Sequence, residues 1–139
     1  MTLLLVLNAW AGAADHIRVV DPYVRPLAPG QHVTAGYFLL ESTDTVAHAL
    51  IGVSSPIASA VELHTIVDEG GVKEMRPIPK VEIPAGGRAT LAPTGNHLMI
   101  FGVESLAAGQ TTALTLRFED GTTITVQAPV QMLAPALVR

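Results

Sequence analysis

The sequence contains no cysteine. This absence excludes disulfide bonds, thiolate nucleophiles and the cysteine-ligated zinc and iron–sulfur sites. It also excludes a blue-copper electron-transfer centre, because that kind of site requires a cysteine thiolate. Any metal ion that this chain binds must therefore be held by other side chains.

Basic residues are also scarce. Lys and Arg number 8 against 12 Asp and Glu, which gives a formal net charge of −4, and no run of basic residues occurs. Binding to a nucleic-acid backbone requires a basic surface, so we expect no nucleic-acid partner. Charged residues make up only 14% and apolar residues 49% of the 139 positions. This composition is typical of a single globular domain with a sizeable core.

No hydrophobic run is long enough to cross a membrane. The apolar stretch Leu3–Leu7 is far shorter than the ~20 residues of a spanning helix, and Ala11-Gly12-Ala13 fits a signal-peptidase site. We predict a signal peptide over residues 1–13 and an exported mature domain over residues 14–139, without a transmembrane span. No basic residue precedes Arg18, so Met1 would then lie inside a longer signal. The alternative is an ordinary apolar first strand.

Short apolar or alternating runs, separated by turns rich in Gly, Pro, Asp and Ser, dominate the rest of the chain. No window of a dozen residues has helical periodicity. The pattern predicts an all-β single domain, either a β-sandwich or a small Greek-key barrel. The nine predicted strands are His16–Val20, Thr34–Leu40, Val46–Val53, Val61–Val67, Val72–Ile78, Arg88–Leu91, His97–Val103, Thr112–Phe118 and Thr122–Ala128.

Histidine and methionine occur together twice. If the runs flanking "DEGG" form a hairpin with a symmetric turn at 69–70, His64 lies directly opposite Met75 on one face. His97 and Met99 are two residues apart in a strand, which also places them on one face. Two imidazoles and two thioethers form a soft, neutral ligand set that suits Cu(I). Zn²⁺ favours Cys, His and carboxylates, and Ca²⁺ and Mg²⁺ require oxygen ligands.

Other interpretations of these residues stay open on the pattern alone. Methionine is a common core filler, and histidine is often a surface or hydrogen-bonded residue. A metallohydrolase could use the two histidines with Glu62 or Asp68, but the two methionines and the absence of an HExxH motif disfavour it. Glu62 shares a face with His64 and could either orient the imidazole ring or be solvated.

The sequence predicts structural roles for the remaining conspicuous residues. We expect His16, His32 and His48 on the surface. Met132 is expected in the core or in a disordered end, and Tyr23 and Arg25 in packing or edge positions.

The spacing of the four residues resembles a known signature. His64, ten residues, Met75, twenty-one residues, His97, one residue and Met99 match the H-x10-M-x21-H-x-M pattern of the copper chaperones called PCuAC. The blocks "TAGYFLL", "SSPIASAVELHT", "GGVKEMRPI" and "EIPAGGRATLAPTGNHLMIFGVESL" also resemble that family. The resemblance extends over about residues 20–130. The turn "PTGN" departs from it, because Asn96 stands where an aromatic residue is common.

The resemblance implies a cupredoxin-like Greek-key β-barrel that binds one Cu(I) per chain. Its implied ligands are His64, Met75, His97 and Met99. It further implies a periplasmic metallochaperone, not an enzyme, that delivers copper during assembly of cytochrome c oxidase. The implied partners are the copper subunit of the oxidase and a Sco-type thioredoxin-like protein. Copper storage or resistance, and a metal-free β-sandwich binding module, are the alternatives. The His/Met-rich tail of some relatives is absent, so we expect no second site.

Overall fold

The structure, a computed structural model, describes residues 12–135. Within this range the chain forms one short helix and ten strands, which confirms the prediction of an all-β single domain. The elements are α1 (Ala13–His16), β1 (Ile17–Val24), β2 (Thr34–Ser42), β3 (His48–Ser54), β4 (Ala60–Glu69), β5 (Val72–Pro77), β6 (Val81–Ile83), β7 (Arg88–Leu91), β8 (His97–Phe101), β9 (Thr111–Phe118) and β10 (Thr123–Pro129).

The strands form two antiparallel sheets. The first sheet has the order β1-β2-β8-β4-β5, and β7 pairs with β2 beyond the end of the β2–β8 pairing. The second sheet has the order β10-β9-β3-β6. The chain crosses from one sheet to the other between β2 and β3, β3 and β4, β5 and β6, β6 and β7, and β8 and β9. Strands that are distant in sequence, such as β2, β8 and β4, are therefore neighbours in the first sheet.

The core lies between the two sheets. Alternate residues of β4 and β8 point into it, and Leu63, Leu98 and Ile100 are at most 5% exposed. They meet Leu114, Leu116 and Phe118 of the second sheet in one hydrophobic cluster. Burial of each such side chain contributes about 1.5–3 kcal/mol. The inner residues therefore fix β4 and β8, and the residues between them are presented on the outer face of the first sheet.

The structure departs most from the predicted strands at two places, and elsewhere the strand ends differ by at most two residues. β1 continues beyond Val20 to Val24 through a bulge, where Asp21 adopts φ 48°. A bulge of this kind hides the alternation on which strand prediction depends. The second departure is β6, whose three residues pair with β3 but are too few to produce a periodic signal.

Some predictions about the N-terminus lie outside the described residues. The proposed signal sequence falls largely on residues 1–11, so its boundary after residue 13 stays a prediction. Among residues 12–135, no helix has the length and apolar character needed to span a bilayer.

Candidate metal centre

The hairpin of β4 and β5 carries the first two candidate ligands, in a register different from the predicted one. The turn consists of Gly70 and Gly71, both with positive φ, so Glu69 pairs with Val72. Two glycines satisfy a turn that needs positive φ at both central positions. The prediction of a turn at 69–70 was therefore wrong.

The corrected register changes the partner of each residue but not its face. His64 pairs with Pro77, and Met75 pairs with Ile66. The displacement is two residues, and side chains alternate with a period of two, so His64 and Met75 remain on the same face. Diagonal neighbours of this kind have Cα atoms ~7–8 Å apart, which a long side chain can bridge.

The second pair of ligands lies on β8, at the centre of the first sheet. His97 pairs directly with His64 of β4, and their ring centroids are 5.9 Å apart. Met99 lies between Glu62 of β4 and Ala35 of β2. The sheet thus brings all four predicted ligands to its outer face, although they come from three strands.

The turn before β8 determines which ring nitrogen of His97 carries the proton. The Ala92 N–H donates to the Asn96 carbonyl and the Gly95 N–H donates to the Ala92 carbonyl, which closes a tight turn. The Gly95 carbonyl lies 2.9 Å from Nδ1 of His97. A carbonyl only accepts hydrogen bonds, so Nδ1 carries the proton and donates it. In the neutral ring, Nε2 then keeps a free lone pair.

A carboxylate plays the corresponding role for His64. The Nε2 atom of His64 lies 2.7 Å from Oε2 of Glu62, two residues earlier on the same face of β4. An ionised carboxylate only accepts, so Nε2–H donates and Nδ1 is left with the lone pair in the neutral ring. Glu62 is exposed, so this contact extends from the buried ring to the solvent. Of the two roles considered for Glu62, the structure shows the orienting one.

Nδ1 of His64 and Nε2 of His97 have no hydrogen-bond partner. Within the described part of the chain, only three buried side-chain N or O atoms are unpartnered, and two of them are Nδ1 of His64 and Nε2 of His97. Both histidines are buried, at 8% and 3% exposure. A buried polar atom without a partner is costly, so such atoms call for an explanation. Two neutral imidazole lone pairs on opposed residues are suited to accept a metal ion.

The thioethers lie closer to solvent than the imidazoles. Met99 is half-buried, whereas Met75 is 59% exposed on the edge strand β5. Together with His97 they line an open cavity of about 600 Å³. His64 is not among the residues that line the cavity, but its ring lies beside that of His97. The arrangement therefore has nitrogen donors at its base and sulfur donors toward its rim.

The cavity is also lined by residues 25–29, by Val33, by Pro93 and by Met132. Arg25 packs over the ring of Tyr37, with its guanidinium carbon 5.4 Å from the ring centroid. Burial raises the pKa of Tyr37, although the positive charge of Arg25 opposes this rise. Tyr37 is thus a neutral phenol at ordinary pH. The predicted packing roles of Tyr23 and Arg25 are confirmed, because Tyr23 is buried and its ring centroid lies 5.1 Å from that of Tyr37.

The other histidines lie outside this centre. His48 is buried, so its predicted surface location was wrong; its Nε2 donates to Asp44 at 2.7 Å. His16 is half-buried, and His32 is exposed and bonds to the Val103 carbonyl through Nδ1. No cluster of three or more His, Cys, Asp or Glu residues suited to a metal ion occurs in residues 12–135.

Met132 lies at a position that the sequence did not predict. It is 60% exposed and lines the cavity, so its predicted place in the core was wrong. No local sequence pattern indicates this position, because the contacts that place the segment come from residues far away in the chain. The same applies to the part of the cavity wall formed by residues 25–29 and Val33.

Comparison with known proteins agrees with this geometry. The family model described as "Putative lipoprotein LpqE-like" matches residues 17–130. A protein of Leifsonia xyli subsp. xyli that is named as a lipoprotein, Lxx21020, is 36% identical over 120 residues, which cover 85% of this chain and 71% of that protein.

Solved PCuAC domains share the fold. The copper-bound PCuAC domain from PmoF2 superimposes with a TM-score of 0.73 at 24% identity, covering 88% of this chain and 97% of that domain. The Cu(I) form of DR1885 from Deinococcus radiodurans superimposes with a TM-score of 0.68 at 32% identity, covering 85% and 81%. The expected cupredoxin-like architecture is thereby confirmed. By its sequence match and its fold, the chain belongs to the LpqE-like family of PCuAC-type domains.

Proposed function

We propose that this protein is a carrier of Cu(I), not an enzyme, and that it holds one ion through His64, Met75, His97 and Met99. The observation that carries the proposal is the pair of buried, unpartnered nitrogens, Nδ1 of His64 and Nε2 of His97. They lie on opposed residues of adjacent strands, and two thioethers share their face. This neutral set of two nitrogens and two sulfurs suits Cu(I).

Glu62 would act behind the copper ligands. Its carboxylate holds the Nε2 proton of His64 and so directs Nδ1 toward the ion. The four ligands are neutral, so the Glu62 carboxylate also supplies a negative charge that compensates the single positive charge of Cu(I). Carboxylate–histidine–metal arrangements of this type are common in metalloproteins.

The competing functions fit the geometry less well. A metallohydrolase would need a carboxylate on the metal side of the histidines, but Glu62 bonds to the remote nitrogen of His64 and Asp68 bonds to the backbone of Gly71. A storage protein would gain from several sites, whereas the described residues offer one soft cluster. A metal-free binding module leaves the two unpartnered nitrogens unexplained.

The family supports a proposal for the cellular role. We propose export to the periplasm, in line with the lipoprotein names of the LpqE-like family and of the Leifsonia relative. We further propose delivery of copper for the assembly of cytochrome c oxidase, with the copper subunit of the oxidase or a Sco-type protein as recipient. Delivery of Cu(I) needs no change of oxidation state, only replacement of ligands one at a time.

X-ray absorption on the full chain loaded with Cu(I) tests the ligand set. We expect one copper per chain with two sulfur and two nitrogen scatterers, and the loss of one sulfur in Met99→Leu. A spectrum without sulfur would refute the assignment. Delivery is tested separately, by mixing the loaded protein with the apo copper domain of the oxidase and measuring copper in each after separation. Retention of all copper by the carrier would refute this recipient.

A further inference from the structure

All the methionines that the structure describes line one cavity. The chain has four methionines, and the three that follow Met1 are Met75, Met99 and Met132. Each of them contributes to the wall of the same 600 Å³ cavity. The first two belong to the proposed copper site, whereas nothing in the spacing of that site requires the third.

The position of Met132 is fixed by its neighbours in the chain. The Val130 N–H donates to the Gln110 carbonyl, and the Gln131 N–H donates to the Val24 carbonyl. The side-chain amide of Gln131 donates to the Leu133 carbonyl at 2.7 Å. These bonds hold the segment beside the end of β1, next to the loop that begins at Arg25. Met132 thus faces the cavity because the backbone around it is anchored.

Packing does not explain a methionine at this position. Its side chain is 60% exposed, nearly the same as that of Met75 at 59%. An exposed, long apolar side chain gains little from burial, and it also leaves a soft sulfur atom accessible at the rim. The cavity that the two exposed thioethers line has a largely apolar wall, which includes Leu27, Val33 and Pro93. No carboxylate belongs to the described part of this wall, so sulfur is the soft donor available there.

We propose that Met132 is a transient ligand through which Cu(I) enters and leaves the site; this inference rests on the proposed carrier function. During release, a bond forms between copper and the Met132 sulfur as the bond to the Met75 sulfur breaks. Both thioethers are neutral, so no proton or electron moves and copper remains Cu(I). At the rim, an incoming ligand replaces the Met132 sulfur, and further incoming ligands then replace the bonds to Met99, His97 and His64 in turn. Uptake follows the reverse order.

Two measurements on the full chain test the role of Met132. In protein labelled with ¹³C at the methionine methyl groups, Cu(I) alone is added under reducing conditions. We expect the Met75 and Met99 methyl signals to shift fully and the Met132 signal to shift or broaden as a minor bound state. In stopped-flow experiments with a Cu(I) chelator, we expect Met132→Leu to slow extraction about tenfold, equivalent to about 1.4 kcal/mol of barrier. Its equilibrium affinity should stay within about twofold of wild type.

A control variant with the same amino-acid composition tests whether the position of the thioether matters, and not only its presence. The double variant Met132→Leu with Leu133→Met moves the thioether by one residue, to a position that is outside the cavity wall and 53% exposed. We expect extraction from it to be as slow as from Met132→Leu. Wild-type extraction rates in either variant, or an unmoved Met132 methyl signal beside shifted Met75 and Met99 signals, would overturn the inference. If no methyl signal moves, the carrier function itself fails.

Discussion

Replacing Met75 by leucine distinguishes a copper ligand from a structural residue. Met75 is 59% exposed on the edge strand β5, where all six residues are exposed. Surface substitutions of this kind change the free energy of unfolding by at most about 0.5 kcal/mol. Leucine has nearly the same volume as methionine and lacks only the sulfur lone pairs. The apo variant should therefore melt within roughly 2 °C of the apo wild type.

The loaded protein should behave differently. Binding to the native state stabilises it by RT ln(1 + [L]/Kd), so a hundredfold loss of affinity removes about 2.7 kcal/mol of that stabilisation. For a chain of this size, 1 kcal/mol corresponds to about 3–4 °C in melting temperature. We thus expect the copper-induced rise in melting temperature to shrink by roughly 10 °C in Met75→Leu. The loss of one sulfur ligand from the exposed rim is the physical cause.

The assay is a set of thermal melts of apo and Cu(I)-loaded protein under reducing conditions, with a chelator competition to obtain the affinity. Val72→Leu is the matched control, because Val72 is 61% exposed on the same strand and lies outside the cavity. It should keep the full copper-induced rise. If Met75→Leu keeps it as well, Met75 is not a ligand and β5 has no part in the site.

Two further predictions concern Glu62 and His48. Glu62→Gln should lower the Cu(I) affinity about tenfold or more, since it weakens the hydrogen bond that orients His64; unchanged affinity in a chelator titration would exclude this role. His48→Gln should flatten the pH dependence of apo stability as the pH rises above about 6.5. The hydrogen bond to Asp44 raises the pKa of His48, so its stabilising effect is complete below about 6.5 and is lost as the pH rises through the raised value. Urea unfolding of wild type and variant across this range measures the effect, and parallel profiles would exclude it.

The fold was predictable because its signals are local. Turns rich in Gly and Pro separate runs that alternate between apolar and polar residues, and the structure places strands at each predicted run. The register of the β4–β5 hairpin was not predictable with the same certainty, because "DEGG" accommodates more than one turn. The error of two residues left His64 and Met75 on one face, since a side chain changes face only when the register shifts by one.

The spacing of the ligands does not predict which ring nitrogen of each histidine carries the proton. The free nitrogen of His97 is determined by the Gly95 carbonyl, which depends on how the turn 92–96 closes. Met132 depends on hydrogen bonds to Val24 and to residues after β8, which only the folded chain brings together. Short-range patterns therefore predict which residues share a face, but not which atoms are left without a partner.

The gradient of burial across the site bears on how a carrier can both hold and release its ion. The histidine nitrogens lie on β4 and β8, which are anchored by fully buried neighbours such as Leu98. Two of the thioethers, Met75 and Met132, lie at the solvent-exposed rim. Ligands on well-packed strands keep their geometry when the ion leaves, so little reorganisation opposes rebinding. Ligands at the rim exchange first, and a recipient need only replace sulfur donors before it reaches the buried nitrogens. Retention then depends on the imidazoles together with Met75 and Met99, whereas the rate of transfer depends on Met132. Met75→Leu should accordingly lower the affinity, and Met132→Leu should slow exchange with little change of affinity.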